Sequence, residues 1–200
     1  MKRSWLAFAA VATVVFCCPL RQASSAERKE WIQLSECKYL DHDYNDGDSF
    51  YVRCGTKELI VRLYFVDAPE TNLRYPERVR EQSEYFGITL DETLRAGKQA
   101  ALKVHDALEK PFTVWTRWAS AAGRTKVPRF YGYVQVEGQD IAQLLLSSGL
   151  GRAKGVTAES PEGVPSRETL PKLQSLEQEA QQQRRGAWAT STLGTTHDDR

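Results

Sequence analysis

The sequence predicts an α+β domain: a five-stranded Greek-key β-barrel with about three helices, the pattern of an OB-fold. Two observations carry this. Five short runs rich in β-formers are punctuated by Gly, Pro and Asp turn signals, and a run of helical period follows the third of them. The order is therefore three strands, helix, two strands, helix, helix. The chain has 200 residues, 41% of them hydrophobic. That suits one domain with tails, and it is too little apolar content for a membrane-embedded protein.

Residues 1–26 read as a secretory signal. Lys2 and Arg3 precede an apolar run from Trp5 to Leu20, and Ala23-Ser24-Ser25-Ala26 offers small residues for cleavage after Ala26. The run is short of the about 20 residues of a comfortable membrane span, so no stable span is expected after cleavage; an uncleaved anchor is the alternative. Residues 27–38 form an N-terminal segment, polar and fraying over 27–35, with a first strand spanning Trp31 to Leu40. The domain is placed at 39–189, and 190–200 is expected to be a disordered tail. Asp46-Gly47 is a hairpin-turn signal. Ser49 to Cys54 then alternates, with Phe50 and Val52 on one face and Tyr51 and Arg53 on the other. Leu59 to Val66 is a nearly unbroken apolar strand that implies burial on both faces. Pro69 ends it, having no amide hydrogen for the ladder. Asn72 to Glu92 shows no clean period and reads as a long surface loop with one helical turn. Thr93 to Leu108 has a helical stripe of Leu94, Ala101, Val104 and Leu108, and its His105 reads as a boundary or core histidine. Phe112 to Trp118 and Phe130 to Val136 are the last two strands. Ala119 to Pro128 turns between them, with Arg124, Lys126 and Arg129 at or beside it. Asp140 caps a short helix from Ile141 to Ser148. Gly151 to Arg167 reads as irregular. Thr169 to Arg185 is a final helix ended by Gly186.

Cleavage removes Lys2, Arg3 and Arg21 and no acid. That leaves 24 basic against 26 acidic side chains, a net charge of −2. A globally basic nucleic-acid binder is excluded, so contact with a polyanion must come from a local cluster. Of the four cysteines, cleavage leaves Cys37 and Cys54. An even pair in an exported chain predicts a disulfide across the Asp46-Gly47 hairpin; two buried thiols are the alternative.

The stretch Asn45 to Thr71 concentrates the candidate chemistry. Asp46, Asp48, Asp67 and Glu70 sit at turns and strand ends, which converge in a hairpin or small barrel. Arg62 lies inside an apolar strand. A buried arginine without a partner is very costly, so it should point into a cleft that holds anions. Asp48 and Asp67 are hard-oxygen donors with no Cys or His cluster nearby, which suits Ca²⁺ or Mg²⁺. Glu70 is placed to orient or deprotonate a water. The spacing alone equally allows solvated turn formers.

DGDSF followed by RLYFVDAPET resembles the staphylococcal-nuclease-like (thermonuclease) family, as do PRFYGYVQVEGQDIAQLLLSSGLGRA and GAW further on. The resemblance covers roughly Tyr39 to Trp188. It implies an OB-fold nuclease that hydrolyses DNA and RNA with Ca²⁺. It implies metal ligation by Asp48, Asp67 and the carbonyl of Ala68, catalysis by Arg62, Glu70 and Arg129, support from Asp46 behind the metal, and a phosphate contact at Lys126. Some positions depart from the family pattern. Arg129 follows Pro128 rather than a glycine. Val127 and Gly155 stand where many members carry tyrosines that flank the nucleotide, and the loop after Thr71 is longer and more acidic. The expected protein is a monomer, secreted or periplasmic. The alternative is a non-catalytic OB-fold module that binds single-stranded nucleic acid or protein.

Overall fold

A computed structural model describes residues 29–122 and 126–193. The expected signal, the final residues of the expected tail, and Gly123 and Arg124 of the basic turn lie outside them. The elements are β1 (Ile32–Tyr39), β2 (Ser49–Cys54), β3 (Lys57–Leu63), α1 (Pro76–Phe86), α2 (Leu90–Ala107), β4 (Phe112–Ser120), β5 (Arg129–Val136), β6 (Gln139–Asp140), α3 (Ile141–Ser147) and α4 (Ser166–Gln182), then a 3-10 turn at Gly186–Thr190. Among them no helix is long and apolar enough to cross a membrane.

Strands pair in the order β3-β2-β1-β4-β5-β6, and β3 also pairs with β5. The added pairing closes β1 to β5 into a mixed barrel. It is parallel, with Ile60 beside Arg129 and Arg62 beside Tyr131, while β2 and β3 are antiparallel with Ser49 opposite Arg62. The α+β OB-fold architecture is the expected one. The barrel takes its first strand from Ile32, inside the segment 27–38. Cys37 and Cys54 are joined by a disulfide that links β1 to the end of β2. Phe50, Val52, Leu59, Val61 and Leu63 fill the interior with Val114 and Val134, and Val104, Ile141 and Leu145 cap it from α2 and α3.

Three readings change. Asn72 to Glu92 is not a loop with one turn, because it holds the 11-residue helix α1. Its buried face is Val79, Gln82, Ser83 and Phe86. The spacing is helical but half the positions are polar, so hydrophobic period is nearly silent there. Pro76 at the first turn and Gly87 in the left-handed conformation delimit it. Next, α2 starts at Leu90 rather than Thr93, because Thr89 and Glu92 form a reciprocal capping box. Its buried face, Thr93, Ala96, Gly97, Ala100 and Val104, is rotated from the stripe read from larger side chains. Third, β3 stops at Leu63. Phe65 adopts a positive φ of 66° and turns the chain out of the ladder toward Asp67, which then pairs with Arg152 in an isolated bridge. Over residues 190–193 the chain remains packed, with Ser191 buried and Thr192 donating its amide hydrogen to the Gly87 carbonyl.

Candidate active site

The Asp46–Asp48 turn is fixed from below. Asp46 accepts the Asp48 amide at 3.1 Å. A Cβ on Gly47 would lie 2.7 Å from the Ala100 side chain and 2.8 Å from that of Ala68, so only glycine lets this turn sit against α2. Asp48 is buried, and its Oδ2 accepts the Ala68 amide at 2.8 Å. Across the β2–β3 ladder, Arg62 brings Nη1 to 2.6 Å from Asp48 Oδ1 and Nη2 to 3.1 Å from Asp67 Oδ1. The arginine in the apolar strand therefore does meet anions. Burial works against its charge, but Asp48, Asp46 and Asp67 hold it above the ordinary arginine value.

Asp67 is the most contested group. Its Oδ1 also pairs with Arg78 of α1. Its Oδ2 accepts Arg152 Nε at 2.8 Å and Gln82 Nε2 at 3.2 Å. Burial raises the Asp67 carboxyl, yet Arg78, Arg152 and Arg62 together bring it below the usual range. Gln82 is fully buried and fastens the whole turn. Besides Asp67 it donates to the Ala68 carbonyl at 2.9 Å, and its Oε1 accepts the Glu70 amide at 2.8 Å. The Glu70 carboxylate accepts a hydrogen bond from Arg78 Nε. Behind them, Arg152 makes two bonds to Glu81, at 2.8 and 2.5 Å. Asp46 is pushed well up, first by burial and then by Asp48.

Beside this cluster runs a groove of about 570 Å³ lined by Asp46, Glu70, Lys126 and Arg129 among others. The Arg129 Nε is buried and has no hydrogen-bond partner among the described residues. Asp48, Asp67, Glu70 and Arg62 thus come together, while Arg129 and Lys126 line the adjoining groove. Arg78, Gln82, Glu81 and Arg152 were not found in the sequence. Arg78, Glu81 and Gln82 lie in the stretch read as loop, and Arg152 in the stretch read as irregular.

The donors at Asp48, Asp67 and the Ala68 carbonyl are all hard oxygens. Asp48 Oδ1 is buried and, although 2.6 Å from Arg62 Nη1, has no aligned hydrogen bond among the described residues. An incompletely satisfied buried carboxylate oxygen fits a hard cation. A separate group, His105, Asp106 and Glu109, brings its ligand atoms within 4.8 Å of one another. It lies toward solvent, and His105 already contacts Asp106 at 3.2 Å and Asp41 at 3.4 Å.

The family described as staphylococcal nuclease homologues matches this chain over residues 60–190. The match runs from β3 to the 3-10 turn, so it includes Arg62, Asp67, Glu70 and Arg129 and begins after Asp46 and Asp48. No curated protein matches the chain.

Proposed function

The chain belongs to the staphylococcal nuclease homologue family, and on that footing we propose that it is an exported, Ca²⁺-dependent nuclease that hydrolyses phosphodiester bonds of DNA and RNA. The observation that carries the reading is the meeting of Asp48, Asp67 and Glu70 with Arg62 beside a groove that also holds Arg129 and Lys126. Acids that merely form turns would be solvated, whereas Asp48 and Asp67 are buried. The disulfide agrees with an oxidising compartment, periplasmic or extracellular.

Asp48, Asp67 and the Ala68 carbonyl would hold the Ca²⁺. When bound, it supplies polarisation of the phosphate and offsets the charge that grows on it. Glu70 releases Arg78, orients a water on the groove side and takes its proton as the water attacks phosphorus in line. Arg62 holds a non-bridging oxygen, and its charge matters more as the pentacoordinate phosphorus forms. As the bond to phosphorus breaks, Arg129 turns its guanidinium to the departing oxygen. Asp46 keeps the Asp48 turn closed, and Lys126 steadies a neighbouring phosphate.

The test is digestion of single-stranded DNA and of RNA by the purified protein, in Ca²⁺ and in chelator. Cleavage is expected in Ca²⁺ and not in chelator. Glu70→Ala and Arg62→Ala are each expected to lower kcat by on the order of 100-fold or more. Undiminished cutting in chelator, or by either variant, refutes the mechanism. Binding without turnover in any metal would instead favour the non-catalytic module.

A further inference from the structure

The groove beside Glu70 carries aromatic rings that no packing requirement explains. Tyr44 is 57% exposed and Tyr75 is 60% exposed, and both line the groove that holds Lys126 and Arg129. Around Tyr44 the rings are ordered. His42 lies parallel to Tyr51, with centroids 3.9 Å apart and planes 11° from parallel, and Tyr44 lies 5.2 Å from His42. The Arg74 guanidinium covers the Tyr44 ring at 4.6 Å, so that face already receives a planar cation. The loop is built rather than loose. Asn45 donates to the Leu40 carbonyl at 2.8 Å and accepts the Tyr51 amide at 2.9 Å, and the Tyr44 amide donates to His42 Nδ1 at 3.2 Å. A fixed loop that presents aromatic faces to water next to two basic side chains has the parts of a single-strand binding surface.

We propose that Tyr44 and Tyr75, backed by His42 and Arg74, stack the bases of an unpaired nucleic-acid strand whose phosphates lie along Lys126 and Arg129. The chain is thereby selective for single-stranded substrate. The inference rests on the nuclease reading, because that reading supplies the strand running past Glu70. A base must be free of its helical neighbours to lie on these rings, so a duplex gains nothing from them. Stacking also answers a problem of charge. With 24 basic against 26 acidic side chains after signal removal, the molecule has little long-range attraction for a polyanion, and contact at the groove must supply the affinity.

The experiment is fluorescence anisotropy with a labelled single-stranded oligonucleotide in chelator, where no cutting is expected, beside a cleavage assay in Ca²⁺. The Tyr44→Ala/Tyr75→Ala double variant should bind about 100-fold more weakly, roughly 10-fold for each ring. The Tyr44→Phe/Tyr75→Phe variant should bind like wild type, and an oligonucleotide of abasic residues should bind the wild type and the alanine variant equally weakly. Equal binding by the alanine variant, or an equal loss on the abasic strand, overturns the platform. So does a wild-type protein that binds no strand. Wild-type binding without cutting in Ca²⁺, with the alanine loss intact, refutes the nuclease reading and leaves the platform standing. Cutting with no alanine effect does the reverse.

Discussion

Asp67 sits among three guanidiniums, from Arg62, Arg78 and Arg152. Each has a different consequence. Arg152 is 1% exposed and joins Asp67 to Glu81. Removing one member of a buried ionic network strands the others, so Arg152→Ala should destabilise the fold by about 3–5 kcal/mol, read from urea denaturation. A loss below about 1 kcal/mol would mean that Asp67 is satisfied without it. Arg78 is more exposed, and it holds both the proposed ligand Asp67 and the proposed base Glu70. A cation that competes for a metal's carboxylate weakens the metal. Arg78→Ala is therefore expected to lower the Ca²⁺ concentration for half-maximal activity by several-fold, on the order of one charge interaction in a partly buried site. A higher requirement would show that Arg78 supports the metal site instead. At this scale the sequence was uneven. Arg62 was legible because a lone charge in an apolar strand needs an anion. Arg78, Gln82 and Arg152 reach Asp67 across 11, 15 and 85 residues of sequence, and no local pattern marks such contacts.

Helix α1 was missed and helix α2 was found for one physical reason. A buried face half written in Gln and Ser is nearly silent to hydrophobic period, whereas α2 shows a stripe of Leu94, Ala101, Val104 and Leu108 that meets its buried face at Val104. The polar face is also the working one, since Gln82 fastens Asp67, Ala68 and Glu70. Opposite it, α2 brings Gly97 against the same turn. A Cβ at Gly97 would stand 2.2 Å from the Glu70 carbonyl oxygen, and backbone cannot yield as a side-chain tip can. Gly97→Ala should thus cost about 1–3 kcal/mol of stability through overpacking, partly offset by about 1 kcal/mol of helix propensity. Activity should fall at least 10-fold with Ca²⁺ affinity measured in parallel, because the turn that carries Glu70 must move. Full activity in this variant would show that the turn tolerates displacement. Between β1 and β2, the disulfide joins residues 17 apart. Its reading from two cysteines was sound because both flank one hairpin. Cys37→Ser/Cys54→Ser should lose about 3 kcal/mol in the chain-entropy account, and an unchanged denaturation midpoint would contradict it.

Across the whole molecule, Glu81 ties α1 to the segment after α3 through Arg152 and Lys154. Hydrogen bonds from Arg152 bring its carboxyl down to about 2 from an ordinary 4.5. A depressed carboxyl stabilises the fold fully above its ordinary value and loses that contribution as pH falls toward the folded one. Glu81→Gln should therefore be less stable than wild type at pH 7, and the gap should close between about pH 4.5 and 2. A gap constant with pH would assign the effect to packing instead. Asp140, raised by burial, acts in the opposite sense and stabilises most at low pH. The barrel itself was readable because strands and turns announce themselves locally. Which residues face each other across its closing seam was not, since the β3–β5 pairing joins distant segments. That parallel seam also sets a schedule. It sets Ile60 beside Arg129 and Arg62 beside Tyr131, so Arg62 and the arginine of the adjoining groove are neighbours only once the seam is shut, and Asp67 draws Arg152 from still further along the chain. On the proposed nuclease reading, the chemistry begins where folding finishes.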